Sequence, residues 1–60
     1  MKYVIKVLWS KSTISHRDYE QSDNIQGLKE IIIKIRNAGL EIPSCPYVIL
    51  DRETNEIIYQ

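Results

Sequence analysis

Residues 23–40, DNIQGLKEIIIKIRNAGL, decide the fold. Asp23 has the short, oxygen-bearing side chain of an N-cap, and Gln26 three residues on completes a capping box. At the other end Gly39 supplies a residue suited to the left-handed backbone, with Leu40 placed to touch Ile35 in a Schellman-type ending. Between these signals Ile25, Leu28, Ile31, Ile32, Ile35 and Ala38 share one broad stripe of a helical wheel, while Gln26, Lys29, Glu30, Lys34 and Asn37 fall largely outside it. The stretch therefore predicts an amphipathic helix, and the rest of the chain must pack against it.

On the N-terminal side, Lys2 to Trp9 alternates like a strand. Tyr3, Ile5, Val7 and Trp9 form an apolar face expected to lie under the helix, and Lys2, Val4, Lys6 and Leu8 form a mixed face. Ser10 to Ser22, SKSTISHRDYEQS, is polar and lacks helical periodicity. Thirteen structureless residues would be unusual in so small a domain, which favours an irregular edge strand near His16 to Gln21 over a plain loop. His16, Asp18 and Glu20 would share one side of that strand, with Arg17 and Tyr19 on the other. The alternation of His, Asp and Glu has the side chains for acid-base work or metal binding but no partner motif, and a solvated edge whose charges discourage strand pairing accounts for it better.

On the C-terminal side, EIPSCP (41–46) is a rigid connector, because each proline biases the residue before it toward extended backbone. Cys45 has no basic neighbour in sequence to activate it and reads as a small packed thiol. Tyr47 to Leu50 and Ile57 to Tyr59 are apolar runs separated by DRETNE, a β-hairpin in which Asn55 fits the position needing positive φ. In these strands Tyr47 and Ile49 oppose Val48 and Leu50, while Ile57 and Tyr59 oppose Ile58. The fold class is then α+β: one amphipathic helix on a small three- or four-stranded sheet, in the order β-α-β-β or ββαββ, with a C-terminal hairpin. In one arrangement the first strand and the strand at Tyr47 run parallel; in the other the weak strand is added at the edge.

Sixty residues form a single domain, 1–60, and a chain of this length buries only about 60% of the surface its unfolded form exposes. Such domains are usually reinforced by disulfides, a metal or oligomerisation. A single cysteine makes no internal disulfide, and His16 with Cys45 matches no zinc spacing, so neither metal nor cofactor is expected and association is favoured. Eight basic and eight acidic residues leave no net charge, though the first third of the chain is basic and the last third acidic. Met1-Lys2 leads into a strand without a cleavage site, and no apolar run approaches the length of a membrane span. With a free thiol as well, the expectation is a cytoplasmic protein that does not engage a membrane.

One helix covers one face of a sheet, yet these strands are apolar on both. The surplus marks Val4, Leu8 and Ile58, with Ile33 on the far side of the helix, as candidate interface residues, unless segment 10–22 folds over the open face. A homodimer through open sheet faces or edge strands would bury them. No nucleophile-base constellation is present, and a chain this short encloses a substrate pocket with difficulty, so no enzyme activity is expected. The leading expectation is a protein-binding module. In size, motif-poor character and strand-helix-hairpin layout, the whole chain resembles small proteins with which bacteriophages and other mobile elements disarm their hosts, including inhibitors of anti-phage defence. That resemblance implies a stoichiometric inhibitor of a host protein and assigns no individual residue. The alternative is a single-stranded nucleic-acid binder using Tyr3, Trp9 and Tyr19 with Lys2, Lys6, Lys11 and Arg17.

Overall fold

The computed structural model describes residues 1–9, 13–15 and 17–60; Lys11 and His16, with the roles considered for them, lie outside the described residues. The described elements run β1 (Tyr3–Val7), β2 (Glu20–Ser22), α1 (Ile25–Asn37), β3 (Tyr47–Asp51) and β4 (Glu56–Tyr59). The sheet has the order β2-β1-β3-β4, with every neighbouring pair antiparallel. This is the ββαββ arrangement. Pairing β1 with β3 directly, Ile5 opposite Ile49, corrects the parallel alternative. Instead β2 and β3, both antiparallel to β1, run parallel to each other on either side of it, and α1 makes the crossover between them.

The helix begins one residue later than its sequence signals suggest. Asn24 is the N-cap, accepting from the Gln26 N–H at 3.0 Å, whereas Asp23 accepts from the Lys2 N–H at 2.7 Å and ties the helix entry to the start of β1. Both residues suit a cap, and Asp23 is taken by a tertiary partner. The ending is a Schellman motif, with Gly39 at φ 70° and its N–H bonded to the Arg36 carbonyl at 3.0 Å, and the Leu40 N–H bonded to that of Ile35 at 3.1 Å. The Leu40 side chain nevertheless remains 72% exposed.

Two cores flank the sheet. Under α1, Leu28 and Ile32 pack with Ile5 and Ile49, joined at the margin by Tyr3, Ile25, Ile31, Tyr47 and Tyr59. On the opposite side Val4, Val48 and Leu50 are buried, with Leu8, Ile14 and Ile57 packed around them. A β-bulge allows β4 to serve both cores. Ile49 faces Tyr59 and Leu50 faces Ile57, so one step along β3 matches two along β4 and Ile58 is the extra residue. Ile57 and Tyr59, expected on one face, consequently enter different cores.

The second core is closed by residues 13–15, which return alongside the end of β1. Ile14 bridges to Leu8, the Trp9 N–H reaches the Thr13 carbonyl at 2.8 Å, and Ser15 pairs twice with Val7. In that pair the Ser15 N–H donates to the Val7 carbonyl at 2.8 Å and the Ser15 Oγ accepts from the Val7 N–H at 3.1 Å. A hydroxyl here takes the place of a missing strand neighbour, which is why the buried polar residue is a serine. Trp9 itself is 57% exposed, correcting its placement under the helix.

Leu28→Ala, Ile32→Ala and Val48→Ala should each cost about 2–5 kcal/mol in urea melts, as truncated buried aliphatics do. Ser15→Ala should cost about 1–3 kcal/mol, because the Val7 N–H is left buried without a partner. A loss below about half a kcal/mol at Val48 would show that the second core is not closed in solution.

Candidate functional site

Burial sorts the candidate interface residues. Val4 is 2% exposed and fills the second core, Leu8 is half-buried beside it, and Ile33 and Ile58 are 44% and 40% exposed on the outer helix side and at the β4 bulge. They do not form one surface, and Val4 and Leu8 are taken up by packing on the sheet face away from the helix. Beyond Ile33 and Ile58 the large exposed apolar side chains are Met1, Trp9, Tyr19, Leu40 and Ile42. The topology brings four of these to one end of the sheet. Trp9 follows β1, Tyr19 precedes its antiparallel neighbour β2, and Leu40 and Ile42 lead from the helix into β3. The Leu8 N–H meets the Pro46 carbonyl at 2.9 Å, and the Tyr19 ring stands edge-on to Tyr47 with centroids 5.2 Å apart, joining these segments. Arg17 lies over the Tyr19 ring at 5.3 Å, so one cation accompanies the aromatic side of this end.

The end is held by a clamp. Arg36 Nε donates to Glu41 Oε1 at 2.8 Å, its Nη2 donates to the backbone oxygens of Tyr47 and Gln60 at 3.2 and 2.6 Å, and Glu41 Oε2 accepts from the Tyr47 N–H at 2.8 Å. One arginine thus joins the helix, the proline connector, β3 and β4. The Arg36 hydrogen bond, with support from the Tyr47 N–H and against the cost of burial, lowers the Glu41 carboxyl below the usual glutamate range. At the sequence level Arg36 suggests only a cation suited to the helix dipole; its bonds to the Tyr47 and Gln60 carbonyls join residues far apart in the chain, which no local pattern shows.

On the sheet side opposite the helix lies a shallow cleft of about 190 Å³, lined by Val4, Lys6, Asp18, Leu50, Arg52 and Asn55. Asp18 bridges its two cations: Lys6 Nζ stands 3.0 Å from Oδ1 and Arg52 Nη1 3.4 Å from Oδ2. Arg52 also donates to the Gln21 side chain. The Lys6 hydrogen bond above all, with Arg52 assisting, lowers the Asp18 carboxyl from its ordinary value. Glu20, placed beside Asp18 on the expected strand, receives the N–H of its neighbour Gln21, and the third member of that alternation, His16, lies outside the described residues. No helix among them is long and apolar enough to cross a membrane.

Comparison with family models, characterised proteins and solved structures finds no match for this chain.

The two lowered carboxyls give a signed expectation. A carboxyl that is more acidic in the folded than in the unfolded chain stabilises above its unfolded pKa and loses that contribution as pH falls through the folded value. Melting temperature should therefore drop progressively below about pH 5, and Glu41→Gln should lower stability at neutral pH while flattening that acid limb. An acid limb of unchanged slope in Glu41→Gln and Asp18→Asn would show that neither carboxylate is held by its cations in solution.

Proposed function

We propose that this chain is a non-enzymatic protein-binding module whose contact surface is the end of the sheet carrying Trp9, Tyr19, Leu40 and Ile42. The observation that carries the reading is the exposure of these large apolar side chains, 57%, 43%, 72% and 60%, in a chain that otherwise covers both faces of its sheet. Aromatic and aliphatic anchors on a rigid support are what a protein interface needs. The support here is the Schellman turn, the two-proline connector and the Arg36 clamp. In the finer form of the proposal the partner is a host protein, inhibited stoichiometrically as by the phage proteins the chain resembles.

Trp9→Ser combined with Ile42→Ser should abolish capture of a specific protein from bacterial lysate, with the melt unchanged because neither side chain is buried. Capture that survives this double substitution, in a variant of unaltered melt, would overturn the assignment of the surface. A second reading draws on Arg17 lying over Tyr19 beside Trp9, the pairing of cation and stacking platform used on single-stranded nucleic acid. Of the cations enlisted for it, Lys6 is committed to Asp18. Recovery of nucleic acid that falls steeply with salt and with Arg17→Glu would favour this reading over the first.

The proposal includes a homodimer, and with both sheet faces covered its place is the outer edge of β4, where Ile58 is exposed. Sedimentation equilibrium over a roughly hundredfold concentration range should show dimer, with a melting temperature that rises with concentration. Ile58→Lys should weaken the dimer more than Ile33→Lys. A constant monomer mass would remove self-association and leave the module acting as a single chain.

A further inference from the structure

The cleft opposite the helix is separate from the apolar end and has a different chemistry. Its floor is Val4 and Leu50, and its wall holds two cations and one carboxylate, so the local balance is positive in a chain of no net charge. The carboxylate comes from the segment that covers the second core, whereas the cations belong to the sheet and its hairpin: Lys6 is in β1 and Arg52 opens the β3–β4 turn. The Arg52 N–H is bonded to the Lys2 carbonyl at 2.9 Å, and the turn is fixed by the Asn55 N–H on the Asp51 carbonyl at 2.7 Å, with Asn55 at φ 59°. The backbone that carries the two cations is therefore fixed without Asp18, and each donor has a second partner, the Ser15 carbonyl at 3.4 Å from Lys6 Nζ and the Gln21 side-chain oxygen for Arg52 Nη1.

They are also spaced for a single oxyanion, since the two oxygens of one carboxylate reach both. A planar carboxylate and a tetrahedral phosphate each offer two oxygens on one central atom, and one guanidinium nitrogen with an ammonium suits either. A cleft of about 190 Å³ exceeds the roughly 30 Å³ share of one water several-fold, leaving room for a small anion with part of its hydration. The geometry points to this cleft as a binding site for a small oxyanion, a carboxylate or phosphate group, that replaces the Asp18 carboxylate between Lys6 and Arg52. Asp18 acts as the resident pseudo-ligand. Its side chain is 30% exposed, so it can move into water when displaced, while Lys6 and Arg52 at 21% and 42% remain accessible from the open mouth.

The proposal is independent of the protein-binding reading and is tested on purified protein with inorganic phosphate and with acetate, at ionic strength held constant with chloride. Amide chemical shifts of Val4, Lys6, Leu50, Arg52 and Asn55 report the site. Asp18→Asn should bind with saturable shifts about tenfold more tightly than the wild type, because an ion of like charge has left the site. Adding Lys6→Gln should abolish the response. Stronger binding of acetate would assign the site to carboxylates, and stronger binding of phosphate to phosphate groups. Responses no greater than those to chloride, or identical in Asp18→Asn with and without Lys6→Gln, would overturn it. If Asp18→Asn does not fold, wild type against Lys6→Gln at higher anion concentration decides by the same shifts: a saturable response confined to wild type supports the site, and its absence removes it.

Discussion

A four-stranded sheet with apolar residues on both sides needs two covers, and the described residues offer one helix of thirteen residues. Every other feature of the architecture answers that shortage. Among the described residues the second cover comes from Ile14, which packs on the core, and Ser15, which satisfies β1. Such a cover is thin. It can work because Val4, Val48 and Leu50 are a small group at the sheet centre, with the half-buried Leu8 and Ile57 at the margins. Burying each aliphatic contributes about 1.5–3 kcal/mol, so leaving this side open would forfeit a large part of what stabilises so short a chain.

Polar contacts supply the cross-links that disulfides supply elsewhere, and they differ in weight. Isolated surface ion pairs contribute about 0–1 kcal/mol. Lys6–Asp18–Arg52 sits near that class, with carboxylate and cations partly in water and one separation of 3.4 Å. Arg36–Glu41 is of another kind: Glu41 is only 15% exposed, each of its oxygens has a donor, and Arg36 bonds two backbone oxygens besides. The clamp fixes the point where helix, connector and two strands meet. The bridge at Asp18 holds down a cover, and a hold that water can reach is one that a competing anion can loosen.

What was legible in the sequence is what local periodicity and local chemistry encode. The helix stripe, the Gly39 ending, the Asn55 turn and the C-terminal hairpin all depend on residues a few positions apart. The shift of the cap from Asp23 to Asn24 depends on Lys2, twenty-one residues away, and no local rule contains it. The bulge at Ile58 is similarly hidden, because Ile57, Ile58 and Tyr59 are all apolar and any alternation reads equally well. The candidate interface suffered most. Val4 and Leu8 look like a surplus only while segment 10–22 is counted as solvent, and a polar composition conceals that a single isoleucine with a serine can close a small core.

Covering both faces also changes which residues are at liberty to act on other molecules. Apart from Ile58, apolar side chains in the sheet are buried or half-buried, so substituting them tests folding before it tests function. Ile33 is exposed on the outer side of α1 and Ile58 at the β4 bulge, and the other exposed ones lie outside the elements: Met1 and Trp9 flank β1, Tyr19 precedes β2, and Leu40 and Ile42 follow α1. Backbone geometry at element ends is set by caps, turns and prolines rather than by the packing of the side chains that project there. In this chain the geometry is set by the Schellman bonds, the Pro43 and Pro46 connector, and Arg36. Side chains so placed contribute little to stability yet are held in a defined arrangement, which is the combination that lets a very small domain present a recognition surface without drawing on its own core.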